Sequence, residues 1–171
     1  MLDYFDLEYI NSLEDEFSLN EYNGIKTEKE SFRVVEGNVP ILISCPHSVN
    51  QIRRGGLKVR EKYVGAVAKL IREVTDTNLI YKYHNDSVDD NYVLETRYKQ
   101  EIGEIIKRKN IKMLLDIHGM LGSMSKRFRG NYIELGTDDG RNLLGHPYIS
   151  KEVVRIFNKN GIDRIVVDEK F

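Results

Sequence analysis

One cysteine, Cys45, stands among 171 residues, so an intramolecular disulfide is excluded. Its place at the end of an apolar run reads as a buried thiol. No apolar run approaches the roughly 20 residues that a bilayer-spanning helix needs, which excludes a membrane helix. Charge of one sign is not in excess. With 26 Lys and Arg against 27 Asp and Glu, the formal net charge is -1, and neither nucleic acid nor an anionic membrane is an expected partner. A Walker glycine loop, a G-x-G-x-x-G fingerprint, internal repeats and low-complexity tracts are all missing, and Gly55-Gly56 is too little for a phosphate cradle. The opening MLDYFDLEYINSLEDEF is acidic and has neither the basic start nor the apolar block of a secretion signal, so the expected location is cytoplasmic.

What is present is the balance of a folded chain, 40% hydrophobic and 31% charged. The length predicts one domain over residues 1–171, with residues 1–30 as a peripheral helix and loop and the core from about 31 onward. SFRVVEGN alternates as an outer strand, and Gly37-Asn38 turns it into VPILIS, its expected neighbour. From Lys58 to Val74, Val59, Tyr63, Val67, Leu70, Ile71 and Val74 recur at helical spacing. NLIYKY reads as a strand and HNDSVDDNY as the polar loop at its end. A second amphipathic helix begins near Thr96, with Tyr98, Ile102, Ile105 and Ile106 on one face, and leads into IKMLLDI, an expected buried strand. The polar HGMLGSMSKRFRG reads as a long functional loop, NYIELGT as a strand and DDGRN as a turn. Ser150 caps a third helix, Ile149 and Val154 staple it, Gly161 closes it, and DRIVVDEKF is the last strand. This alternation predicts an α/β fold: a mixed, mostly parallel sheet with helices on both faces.

In such a sheet ligands sit beyond the carboxyl ends of the strands. Two apolar strands end there on a histidine: LISCPHS on His47 and LLDIHGM on His118. A lone strand-end histidine ordinarily satisfies loop carbonyls, but two at matching topological places point to one metal site. Imidazole suits zinc, and a catalytic zinc takes three protein ligands and leaves a position for water. Asp116, two residues before His118 on the same side of its strand, is placed to orient that imidazole. The reaction class would be metal-assisted hydrolysis. Arg127 and Arg129 of SKRFRG could meet a substrate carboxylate, and Asn91 of the polar loop is a further substrate-binding candidate. His84 and His146, in polar loops, read as surface residues.

Taken together, LISCPHS, LLDIHGM and NYIELGTDDGRNLL resemble the N-formylglutamate amidohydrolase family, from about Val34 to Phe171. That family's fold is similar to that of zinc carboxypeptidases and aspartoacylases. The resemblance implies a three-layer α/β/α, phosphorylase/hydrolase-like arrangement, zinc held by His47 and His118, and a small acylated amino acid or related amide as substrate. It also implies an acidic third ligand near the helix after the first histidine, where Glu61 falls. Zinc carboxypeptidases use His-x-x-Glu, whereas Asn50 stands at that glutamate's place here. The HNDSVDDNYVLET segment departs from the family's arginine-bearing one. Relatives continue past the strand matched by DRIVVDEKF to a glutamate that serves as general base, so the expectation is a chain short of that part, with Glu134 or Glu95 as stand-in. A sheet edge left without its partner would favour a homodimer. The rival readings are a binding module that kept the fold without the base, and a metallo-carboxypeptidase acting on peptides or cell-wall fragments.

Overall fold

The computed structural model describes residues 6–27, 29–120 and 132–168, and the chain divides into two units, residues 1–119 and 120–171. In the first, the elements run α1 (Leu7–Tyr22), β1 (Phe32–Val35), β2 (Val39–Cys45), β3 (Gln51–Arg53), β4 (Gly56–Lys58), α2 (Val64–Thr75), β5 (Thr77–Lys82), α3 (Arg97–Arg108) and β6 (Met113–Asp116). Four strands form one sheet in the order β1-β5-β2-β6. The last three are parallel, and β1 runs antiparallel at the edge. α2 connects β2 to β5, and α3 connects β5 to β6, so each parallel step has its helical crossover.

Side chains alternate across a strand, and the two cores follow that period. Ile43 and Cys45 of β2 join Leu79 and Tyr81 of β5, Val64 and Ala68 of α2, and Phe17 of α1. Leu42 and Ile80, which alternate with them, join Phe32, Tyr98 and Ile105. Tyr98 also stitches the sheet through its hydroxyl, which donates to Ile80 O at 3.1 Å and accepts from Cys45 N at 3.0 Å. In the second unit β7 (Ile133–Leu135) pairs in parallel with β8 (Ile165–Val167), with α4 (Tyr148–Lys159) between them in sequence. The chain is thus a mixed α/β protein. No helix among the described residues is long and apolar enough to cross a membrane.

Several expectations are corrected. β1 pairs with β5, not with β2. The linker explains why: Asn38 N and Val39 N both donate to Asp76 O, at 3.0 and 3.1 Å, so the chain crosses the start of β5 before entering β2. Gly37 makes that crossing possible, since a Cβ there would lie 2.2 Å from Asp76 O. α2 starts at Val64 rather than at Lys58, because Gln51–Lys58 folds as the β3–β4 hairpin. Arg54 and Gly55 at its tip both have positive φ, 53° and 76°, the signature of a type I′ turn. β6 is not buried, for Leu114 is 44% exposed and Leu115 39%. It pairs with β2 along one edge only among the described residues. α4 starts at Tyr148 after Pro147, and Ser150 sits inside the first turn with its hydroxyl donating to Pro147 O at 3.1 Å. Its far end does close at Gly161, with Gly161 N bonded to Asn158 O and Ile162 N to Phe157 O, a Schellman arrangement.

α1 is more than a cover. Leu13, Glu14 and Phe17 form its buried face, and Phe17 is fully enclosed, edge-on to Tyr81 with ring centroids 5.4 Å apart. Phe17→Ala is expected to destabilise the protein by about 3–5 kcal/mol, the cost of a large core truncation, read as a lower urea midpoint at unchanged slope.

Candidate metal centre

Neighbouring parallel strands bring the two histidines together. β2 and β6 are in register at Ser44 and Asp116, and Ile117 N extends the ladder by donating to Ser44 O at 2.8 Å. His47 and His118 leave the two strand ends with ring centroids 5.0 Å apart. The third element is the segment between β4 and α2. Glu61 N donates to His47 O at 2.8 Å, which fixes Glu61 beside the first histidine.

The Glu61 carboxylate lies between the imidazoles. Its Oε1 is 2.8 Å from His47 Nδ1 and its Oε2 is 3.1 Å from His118 Nδ1. Ligand atoms of the three residues all fall within 4.8 Å of one another, a set that could hold a metal ion. Each outer nitrogen meets another carboxylate: His47 Nε2 is 3.1 Å from Asp89 Oδ1, and His118 Nε2 is 3.1 Å from Asp116 Oδ2. A neutral imidazole has one N–H and satisfies one of its two carboxylates. Positive charge at Nδ1, a proton or a metal ion, satisfies both. Glu61, Asp89 and Asp116 carry three negative charges against the two of Arg53, whose Nε donates to Asp89 at 2.6 Å, and Lys58, whose Nζ donates to Glu61 Oε1 at 3.0 Å. Exchange of the proton at His118 Nδ1 for a divalent cation would make metal binding proton-coupled.

Of the residues expected from the sequence, His47, His118, Glu61 and Asp116 meet in this cluster. Asn91 joins it, its side-chain amide lying 3.0 Å from His118 Nε2, where an Nε2–H is served by the amide oxygen and not by its NH2. With Asp116, Asn91 also lines a cleft of about 250 Å³ that none of His47, Glu61 and His118 lines. Glu134 belongs to β7 of the second unit, and Arg127 and Arg129 lie outside the described residues. Asn50 is occupied elsewhere, donating to Glu21 O and accepting from Arg60 N. His84, expected at the surface, is 3% exposed. Asp89, Arg53 and Lys58 were not foreseen. The signal for Asp89 was present: HNDSVDDNY follows β5, which lies next to β2, so the strand-end rule applies to that loop as well.

Burial opposes charge on these groups, and the contacts override it. Burial would raise Glu61, but hydrogen bonds from His118, His47 and Lys58 hold it well below the usual carboxylate range. Burial would likewise raise Asp89, but Arg53 and His47 keep it at about 2. Burial would lower His118, but its bonds to Asp116 and Glu61 lift it to about 9. A raised value means that the folded state holds the proton more tightly than the unfolded chain. The stability it contributes is complete below about pH 6.5 and is lost as the pH rises through about 9. The metal-free protein is expected to show a falling urea midpoint across that window, and His118→Gln to flatten it. No protein-family model, curated protein or solved structure matches this chain.

Proposed function

We propose that His47, Glu61 and His118 hold a zinc ion and that the protein is a zinc-dependent amidohydrolase acting on an N-acyl amino acid or a similar small amide. One observation carries the reading: two imidazole Nδ1 atoms address the two oxygens of one carboxylate, while each outer nitrogen is taken by a further carboxylate. Two histidines and a glutamate match the donor set of catalytic zinc sites that keep a position open. Carboxylates on the outer nitrogens fix the tautomer and raise ligand basicity. Zinc in such a site acts as a Lewis acid and activates water near neutral pH.

The chain's residues then have separate tasks. Asp89 and Asp116 hold the Nε2 protons, so the Nδ1 lone pairs are free for the metal. Gly119 N donates to Glu61 Oε2 at 2.9 Å and orients the third ligand. Lys58 places a cation beside Glu61, where it would balance negative charge on a substrate. The class of substrate rests on the resemblance of LISCPHS and LLDIHGM to the N-formylglutamate amidohydrolases. A three-layer α/β/α arrangement is part of the same proposal, supported in the first unit by the two clusters built from alternate sheet residues. A second reading, a metal-binding module without catalysis, is favoured by one feature: Glu61, Asp89 and Asp116 are all engaged by imidazoles, which leaves none of the three free as a general base.

Elemental analysis after zinc loading is expected to give about one zinc per chain. His47→Ala, His118→Ala and Glu61→Ala should each weaken binding by more than the roughly 10–100-fold that an outer partner costs. A panel of N-formyl and N-acyl amino acids and short peptides then reads the reaction. Zinc-dependent release of an amino acid from an N-acyl substrate, absent in the three variants, supports the amidohydrolase. Zinc uptake without hydrolysis supports the binding module, and cleavage of peptides alone supports a carboxypeptidase. A folded wild-type chain that takes up no zinc overturns the proposal.

A further inference from the structure

Lysine is almost never fully buried without a partner, yet Lys82, the last residue of β5, has no exposed side-chain surface. Its Nζ lies 2.8 Å from both oxygens of Asp86 and 2.6 Å from Asp90 Oδ2. These two residues bracket Asp89, the carboxylate on His47 Nε2. The loop is tightened further at Asp89, whose Oδ1 accepts from Asn91 N at 3.0 Å and Tyr92 N at 3.2 Å. The backbone of the same lysine reaches the other side of the centre, since its carbonyl accepts the hydroxyl of Ser48, next to His47. One residue thus touches both the loop that bears the first imidazole and the loop that bears that imidazole's carboxylate.

We propose that Lys82 is a positioning residue for the candidate metal centre. Its ammonium pins the loop at Asp86 and Asp90 so that Asp89 is presented to His47 Nε2. The functional consequence rests on the reading of His47 as a metal ligand, but the contact itself belongs to the metal-free chain. A buried ammonium between two carboxylates is suited to this task, because it donates to both oxygens of Asp86, pairs by charge with buried Asp90 and has no exposed surface of its own. The pin would act through Asp89 on the tautomer and tilt of His47, without touching substrate.

The test is the ¹H–¹⁵N correlation of imidazole N–H groups in the metal-free protein, followed by zinc titration. The wild type is expected to show a slowly exchanging His47 Nε2–H, bonded to buried Asp89. Lys82→Met and Asp89→Ala should both lose it, while Ile105→Val, a destabilising change in the α3 core, should retain it. In zinc titration both variants should fall about 10–100-fold, and the double variant no further than either, since they break one chain of contacts. If Lys82→Met does not fold, Asp90→Asn removes half of the pin and carries the same expectation. A folded Lys82→Met or Asp90→Asn chain that keeps the His47 Nε2–H signal overturns the proposal. A wild type that takes up no zinc removes the metal reading alone, because the imidazole signal still decides the role of Lys82.

Discussion

The Glu61 carboxylate between two imidazole Nδ1 atoms is the interaction on which the rest of the centre depends. It gathers three separate parts of the first unit: the end of β2, the end of β6, and the segment between the β3–β4 hairpin and α2. Each part is held by backbone bonds of its own, so the carboxylate closes a frame that is already built. β2 and β6 are in register, and the amide of Glu61 is bonded to the carbonyl of His47. Gly119 completes the closure, since a Cβ there would stand 3.1 Å from Val64 Cγ2 and 3.2 Å from Glu61 Cβ. A side chain at that position would push against Glu61 itself.

Charge is arranged in layers around this point. Two imidazoles lie between an inner carboxylate and two outer ones; Lys58 pairs with the inner Glu61 and Arg53 with the outer Asp89. Burial alone would discharge such a cluster, yet Glu61 and Asp89 stay ionised because each has several donors. Under the zinc reading proposed above, the arrangement would separate ligand from support: carboxylates on Nε2 hold the rings, and the Nδ1 atoms face Glu61. Asp116 comes from the strand that also supplies His118, whereas Asp89 comes from a different crossover and needs its own anchoring.

Sequence made the strand-end histidines legible because both follow short apolar runs that read as strands, although β6 turned out to be exposed. Asp116 was legible for the same reason, since the two-residue strand period sets it beside His118. Glu61 came from family resemblance, and its local pattern pointed elsewhere: Val59, Tyr63 and Val67 extend the helical spacing across a segment that forms no helix before Val64. The pairing of β1 was hidden because the Gly37-Asn38 turn suggests a local hairpin, while the deciding bonds go to Asp76, about forty residues away. Asp89 and Lys82 escaped for a related reason. A charged loop reads as solvated until the fold shows that Asp89 and Asp90 are buried at the end of a central strand.

Cys45 has a consequence for which ions the centre would select. It lies two residues before His47 but is wholly enclosed, and burial pushes its thiol far above the ordinary range, so no thiolate is offered to the cluster. Among the described residues the donors of the cluster are nitrogen and oxygen alone. For such a set affinity follows the general order of the divalent first-row metals, with copper above nickel and both above iron and manganese. Selection among them would fall to geometry and cellular supply rather than to ligand softness. Oxidants that strip zinc from cysteine-built sites would find no sulfur here to attack.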